Sequence, residues 1–563
     1  MPVMRLVVQC LGALGEHHAA LYHAKRMLAM NPRDAGLQLN VARLHARLGE
    51  TDEAVTAFDA AIKGGLLDAA PELAQLLLGC GRISDGLTRV DAYAPLIAGA
   101  AVATSTRLAL QARLSLVRAQ LHFAQGDVQR CIEVCQSVDA AEPDVAVSLQ
   151  AVKASCMNYL ASISRERVLA EHRRFGELLE SAIREQSTDW KPHLTSLRRP
   201  LHVGVISPDM RTHSVAVFAL PLLRQLHTRA SEFCVSVFHV GGVEDATTTR
   251  LREYAHTWVH LPHQSPEEIA KTVRAAAIDI AIELSGLTDT LGVCTLAHGC
   301  APVTITAIGY PNTCGTKRVQ FRLVDGTTDP VNAVDDAIEK LVRLDPCFLC
   351  YSPPTEGQSA ARGASRQHTT FGCFNAAQKW NDELARCWRG VLEGVPESTL
   401  LLKSTGLHEV GAMEAMRNKL AAWGLPMDRV RIAAATRTRS EHLAMYREVD
   451  IALDTFPYHG TTTTCEALFM GVPVVCLAGD RHVSRVGVSL LQAVGLHELV
   501  TQSPSEYVAV ACGLAKDVTR LTELHNTLQG RMLASALCDE PAYGERVAAA
   551  LFEIWADACE AAT

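Results

Sequence analysis

No run of about 18 uncharged apolar residues occurs in the chain, so no segment is long and apolar enough to cross a bilayer as a helix. The opening stretch MPVMRLVVQCLGALGEHHAA holds a short apolar run but no small-residue cleavage site. It is expected to continue into an amphipathic helix and not to act as a leader. Neither G-x-x-x-x-G-K-[ST] nor G-x-G-x-x-G occurs, which removes the usual grounds for a P-loop NTPase or a standard dinucleotide site. No D-x-D is present either, so the common carboxylate pair for a divalent cation on a nucleotide diphosphate is missing. Basic residues are not in excess: the net charge is −8, against the basic face a general nucleic-acid binder needs. The 18 cysteines follow no short framework and many sit in apolar stretches, as buried reduced thiols of a cytosolic protein would. Cys347 and Cys350 form a lone C-x-x-C among apolar neighbours, with no second pair to complete a zinc site.

What is present is ample core material. The 563 residues are 48% hydrophobic and only 5% aromatic, enough for several folded units. Residues 1–190 carry a helical repeat. Leu14-Gly15-Glu16 and Leu48-Gly49-Glu50 lie 34 residues apart, the tetratricopeptide period. Gln125-Gly126-Asp127 and Cys80-Gly81-Arg82 look like further turns, for three or four degenerate repeats. Pro32, Pro71 and Pro143 precede apolar-periodic runs, as prolines near helix starts do. An unrelated helical bundle is the alternative. From about 200 the pattern alternates between strand and helix. LHVGVISPD, IDIAIELSG and PVTITAIGYP are strands of a first parallel-sheet unit over 200–345. A linker over 346–370 includes the Ser/Ala/Gly/Gln-rich TEGQSAARGASRQHTT. TFGCF, STLLLKS, VRIAAA, DIALDTF and VPVVCLAG then mark a second unit over 371–563 with a closing helix. The expected fold class is α/β with an all-α N-terminal module: helical repeats followed by two Rossmann-like domains.

Gly460-Thr461-Thr462-Thr463-Thr464 is a strand-to-helix turn at the carboxyl end of DIALDTF. Open α/β sheets bind ligands there, and helix N-terminal N–H groups with threonine hydroxyls suit a phosphate or diphosphate. Glu466 follows within reach of a ribose; a plain helix cap is the alternative. Lys379, Arg439 and His442 also follow strands of that unit and could meet the diphosphate charge or serve as surface charges. His213 stands at the start of a helix in the first unit, where a neutral imidazole is favoured; it could accept a proton, bind a sugar hydroxyl or simply cap.

HVGVISPDMRTHSVAVF, AIGYPNTCGTKRVQFRLVDGTTDP, CFNAAQKWNDELARCW, RSEHLAMYREVDIALDTFPYHGTTTTCEALFMGVPVV and SRVGVSLL together resemble the O-linked N-acetylglucosamine transferases, most closely the short bacterial members with tetratricopeptide repeats. The resemblance covers about residues 200 to 540 in order. It implies a B-type glycosyltransferase fold, a UDP-GlcNAc donor held by the C-terminal domain, and inverting transfer to Ser or Thr of a protein without a metal or other cofactor. By motif match Lys379 falls on the diphosphate lysine and His442 on a nucleoside-contacting histidine. Thr462 and Thr463 match paired phosphate threonines, and His213 an active-site histidine of disputed role. Arg439 replaces a lysine of animal members, Thr461 a histidine, Glu466 a ribose-binding aspartate, and NAAQK stands for NQLYK. These departures bear on the sugar. A UDP-glucose-dependent asparagine glycosyltransferase and a catalytically weak nucleotide-binding scaffold are the rivals. The expected partners are the UDP-sugar and a protein or peptide acceptor, with no nucleic acid or membrane, in the cytoplasm.

Overall fold

The computed structural model describes residues 2–184, 200–331, 337–354, 368–404, 406–407 and 409–562. Most of the Ser/Ala/Gly/Gln-rich linker, 355–367, lies outside them. By packing, the chain forms two compact units: residues 1–149 with 408–413, and 150–407 with 414–563.

The first unit is built of helix hairpins: α1 (Pro2–Ala13) with α2 (His17–Met30), α3 (Ala35–Arg47) with α4 (Thr51–Lys63), α5 (Ala69–Gly79) with α6 (Ile83–Ala98), and α7 (Thr104–Ala124) with α8 (Val128–Gln136). The turn inside each hairpin is the same object. Gly15, Gly49, Gly81 and Gly126 all have φ between +73° and +86°. The residue after each glycine donates its N–H five residues back, as Glu16 does to Leu11 and Asp127 to His122. That bond closes a Schellman cap, and glycine is favoured because the left-handed position penalises a Cβ. Alanines let the helices approach: Ala20, Ala24, Ala42, Ala54 and Ala61 are fully covered. The glycine spacing slips where α7 runs to 21 residues. Pro71 lies in the first turn of α5, while Pro32 falls in the loop before α3, where Asp34 caps the helix through the Leu37 N–H at 3.0 Å. Ion pairs between successive hairpins recur at sequence separations of 29 or 30, as in Arg43–Glu72 and Arg89–Asp59.

The sequence places the end of the helical module at 190, but the packing divides the chain at Leu149. Pro143 opens α9 (Pro143–Met157), and α10 (Arg165–Arg184) belongs to the second unit. A Cβ on Gly176 would land on the Gly315 carbonyl, and one on Gly315 would land on the His172 carbonyl. Backbone therefore lies directly on backbone there. His172 takes the Tyr310 hydroxyl at Nε2 (2.6 Å), and the Asn158 amide reaches the same oxygen at 2.9 Å.

Two parallel sheets carry the second unit. The first has strands β1 (Leu201–Ser207), β2 (Phe233–His239), β3 (Thr257–His260), β4 (Ile280–Glu283), β5 (Val303–Thr306), β6 (Phe321–Val324) and β7 (Lys340–Arg343) in the order β3-β2-β1-β4-β5-β6-β7. The second has β8 (Thr370–Cys373), β9 (Thr399–Lys403), β10 (Val430–Ala433), β11 (Ile451–Leu453), β12 (Val474–Leu477) and β13 (Val500–Thr501) in the order β10-β9-β8-β11-β12-β13. Central strands such as β4 and β5 are buried throughout, because helices cover both faces. In each sheet the order reverses once, between β1 and β4 and between β8 and β11, and a crevice opens at such a reversal. The closing helix Glu540–Ala562 packs on α11 (Ser214–Thr228), tied by Arg224 to Glu540 at 2.7 Å. All 18 cysteines are free, and burial pushes the Cys347 thiol up to about 12. No described helix is long and apolar enough to cross a membrane.

Candidate functional site

At the reversal point of the second sheet, Asn375 follows β8 and Asp454 follows β11. The Asp454 carboxylate is fully buried and organises the loop between them. One of its oxygens accepts from the Gly460 N–H (2.7 Å), the Thr455 N–H (2.9 Å) and the Asn375 amide (3.1 Å). Asn375 in turn accepts the Thr463 hydroxyl at 2.8 Å. Gly460 must be glycine, since a Cβ would stand 2.5 Å from the Thr463 hydroxyl and 2.9 Å from Asn375 Oδ1. The helix Thr462–Phe469 then begins, as expected from the sequence. The threonines divide their work. Thr463 and buried Thr464 belong to the loop's own structure, Thr461 makes no capping bond, and the Thr462 hydroxyl is buried without a partner. That hydroxyl is a polar group without a partner among the described residues at a helix N-terminus, covered in the unliganded structure.

Lys379 closes a short 3-10 turn after β8 and aims its ammonium at the same loop. It donates to the His459 carbonyl at 2.7 Å and lies 4.2 Å from the centre of the Tyr458 ring, which stacks on Tyr159. Among the described residues no carboxylate is bonded to it. Desolvation holds the ammonium down to about 8, against an opposing pull from Asp454. Asp454, His459 and Cys476 cluster closely enough to suggest metal ligands. However, His459 has both ring nitrogens engaged, Nδ1 by the Gly487 N–H (3.1 Å) and Nε2 on the Leu477 carbonyl (2.8 Å). The group does not fit a metal, which would need one of those nitrogens.

Arg439, His442 and Glu466 come together beside this loop. His442 Nε2 meets Glu466 at 2.9 Å, and the Arg439 guanidinium lies 3.7 Å from its other oxygen. The sequence offered Glu466 as a free acceptor for a ribose; in the structure a ribose hydroxyl would have to share it. Lys403, at the carboxyl end of β9, was missed. The residue is 4% exposed; its ammonium bonds His442 Nδ1, reaches Thr436 at 3.3 Å, and is lowered by burial despite Glu466 nearby. With Lys403 donating to Nδ1, the neutral ring carries its proton on Nε2, toward Glu466. The strand-end position that singled out Lys379 would have found Lys403 too, and Asp454 is the last residue of the DIALD run.

In the first sheet the corresponding reversal point holds His213, Asp209 and Asp289. His213 is the N-cap of α11: its Nδ1 accepts the Val215 N–H at 3.4 Å and stands 3.4 Å from Asp209. Its side chain is 39% exposed. Burial lowers its basicity, Asp209 partly restores it, and Arg211 lowers it again. Nδ1 faces the Val215 N–H and the Asp209 carboxylate at the same 3.4 Å, so the neutral ring presents Nε2 as a donor when the amide sets the tautomer and as an acceptor when the carboxylate does. Asp289, from the loop after β4, is pushed up by burial and by Asp209. Neither carboxylate was singled out in the sequence.

The chain matches the model of glycosyl transferase family 41 over residues 153–351 and 361–547. It is 36% identical over 411 residues to the "Probable UDP-N-acetylglucosamine--peptide N-acetylglucosaminyltransferase SPINDLY" of Arabidopsis thaliana, covering 72% of this chain and 44% of that one. To the SEC protein of the same plant it is 26% identical over 369 residues, 63% of this chain and 37% of the relative. The chain thus spans less than half the length of these curated relatives. Among solved structures, a mutant of Thermobaculum terrenum O-GlcNAc transferase superposes with a TM-score of 0.77 at 25% identity, covering 100% of this chain and 98% of that one. With helical repeats, two parallel sheets and the family's motifs in order, the chain belongs to glycosyl transferase family 41.

Proposed function

We propose that the protein is an inverting, metal-independent glycosyltransferase that moves N-acetylglucosamine from UDP-GlcNAc to Ser or Thr hydroxyls of a protein. The observation that carries this reading is the convergence of a desolvated Lys379, hydrogen-bonded to a backbone carbonyl, and the Thr461–Thr462 helix start at one sheet reversal point. The activities for which the SPINDLY and Thermobaculum relatives are named point the same way.

In the reaction the acceptor oxygen attacks the anomeric carbon, the bond to the diphosphate breaks, and negative charge gathers on the leaving UDP. Lys379 and the helix N-terminus stabilise that charge without reorganising, where each donor is worth most. Arg439 and His442 flank the nucleoside end. His213 meets donor or acceptor through Nε2, and the acceptor proton leaves by that nitrogen, by another base or by water. The helical repeats serve the acceptor protein.

Transfer of label from UDP-GlcNAc to a Ser/Thr peptide library in EDTA tests this. Turnover by wild type and none by Lys379→Ala is the expected result. Turnover only with UDP-glucose would move the assignment to the asparagine-glucosylating rival, and absence of UDP binding would leave a repeat scaffold.

A further inference from the structure

Helix α9 ends at Met157, and Asn158-Tyr159-Leu160 turn the chain toward α10. This short strap belongs to the unit of the two sheets and is held from both. Asn158 is fully buried. Its amide donates to the Tyr310 hydroxyl at 2.9 Å, and its side-chain carbonyl accepts the Asn312 amide at 2.6 Å, both on the loop after β5. From the turn after β12, Arg481 donates to the backbone carbonyls of Met157 at 3.3 Å and Leu160 at 2.9 Å, on either side of Asn158 and Tyr159. A buried amide bonded at both ends and carbonyls held by a guanidinium leave the strap little freedom.

Tyr159 stands between those anchors. Its ring stacks on Tyr458, with 4.7 Å between centroids and the planes 29° apart. Tyr458 lies in the loop from β11 to the threonine tract, and its carbonyl accepts the Thr455 hydroxyl at 2.6 Å. The Lys379 ammonium lies over the Tyr458 ring, 4.2 Å from its centre. A cation over a desolvated aromatic face is attracted by the ring quadrupole. A stacked neighbour in turn limits the rotamers that ring can adopt. Lysine carries its charge on a long flexible stem, and the bond to the His459 carbonyl alone leaves that stem room to swing. The ring also keeps water from the ammonium, in line with its lowered basicity.

We propose that Tyr159 is a positioning residue for donor binding: through Tyr458 it holds the Lys379 ammonium where the donor diphosphate arrives. This rests on the reading of Lys379 as the cation that meets that diphosphate. Tyr159 need touch neither nucleotide nor sugar. Its part is to restrict the ring that restricts the ammonium, so that less freedom is lost when the donor binds. The anchors at Asn158 and Arg481 make the strap rigid enough for that part.

The test is a double-mutant cycle read as UDP affinity by calorimetry. Tyr159→Leu is expected to weaken UDP binding about tenfold, and Tyr159→Phe, which keeps the ring, to recover most of that loss. In the Lys379→Met background, adding Tyr159→Leu is expected to change affinity by less than about twofold, since the group through which Tyr159 acts is gone. Should Tyr159→Leu misfold, Tyr458→Leu enters the same cycle with the same expectation. Wild-type affinity in the leucine variant, or the same loss in the Lys379→Met background, would overturn the proposal and leave the donor reading intact. No UDP binding by wild type, or affinity unchanged by Lys379→Met, would instead remove the donor reading and the role of Tyr159 with it.

Discussion

The Lys379 ammonium donates to the His459 carbonyl at 2.7 Å, tying the turn after β8 to the loop that leads from β11 into the threonine tract. On the proposed reading, a diphosphate bound there would meet a cation already oriented and, among the described residues, hydrogen-bonded to a neutral carbonyl. Replacing Lys379 by Ala is therefore expected to abolish turnover and weaken UDP binding, with little loss of Tm. Normal turnover by that variant would remove Lys379 from the mechanism.

If this ammonium meets the donor diphosphate as proposed, donor binding is pH-dependent. Burial lowers Lys379 from 10.5 to about 8, so the unliganded site loses its charge as pH rises through about 8. UDP affinity should fall above that pH, and calorimetry in buffers of different ionisation enthalpy should show proton uptake on binding near it. The unfolded lysine stays protonated up to 10.5, so between about pH 8 and 10.5 the unfolded state binds more protons. There this group's contribution to stability rises with pH, and below about 8 it is absent. Pivotal to both expectations is Lys379: in Lys379→Met the proton uptake should vanish.

Lys403 holds His442 from behind. In Lys403→Met the Nδ1 acceptor loses its donor, the ring is free to change tautomer, and the pair with Glu466 loosens. UDP affinity is expected to drop about tenfold, about 1.4 kcal/mol, with Lys403→Arg recovering part of it. Nitrogen-15 spectra of the imidazole should show the wild-type ring protonated on Nε2. A wild-type ring protonated on Nδ1 would contradict the arrangement.

His213 sits on the other sheet from the donor loop, so its removal should separate binding from chemistry. His213→Ala is expected to reduce kcat about tenfold to a thousandfold while leaving UDP affinity within about twofold. Equal losses in both would place His213 in nucleotide binding.

Gly176 and Gly315 bring α10 onto the loop after β5, backbone against backbone. Either one changed to Ala must push the helix off, at a cost of about 3 kcal/mol or more, since no flexible side chain can yield. Denaturant melts should show the loss in the unit of the two sheets, where α10 belongs, and a loss confined to residues 1–149 would contradict that assignment.

Much of the molecule was decided locally and was therefore legible in the chain. Gly15, Gly49, Gly81 and Gly126 announce their turns because a left-handed cap excludes other residues almost everywhere. The strands LHVGVIS and DIAL show themselves by continuous apolar runs between turn residues, and the threonine tract by its place after one of them. What stayed hidden depends on contacts distant in sequence. Asp454 looks like any acid at a strand end until folding brings Asn375 and Gly460 to its carboxylate. Glu466 appeared open to a ribose because nothing in its own segment shows that His442 and Arg439, on another helix, reach it first. Helix α10 carries the same amphipathic pattern as the repeats, and only its tertiary contacts, at Gly176 and His172 among them, assign it to the unit of the two sheets. Sequence fixes torsion preference and apolar period residue by residue; which charges end up facing one another is settled by tertiary packing alone.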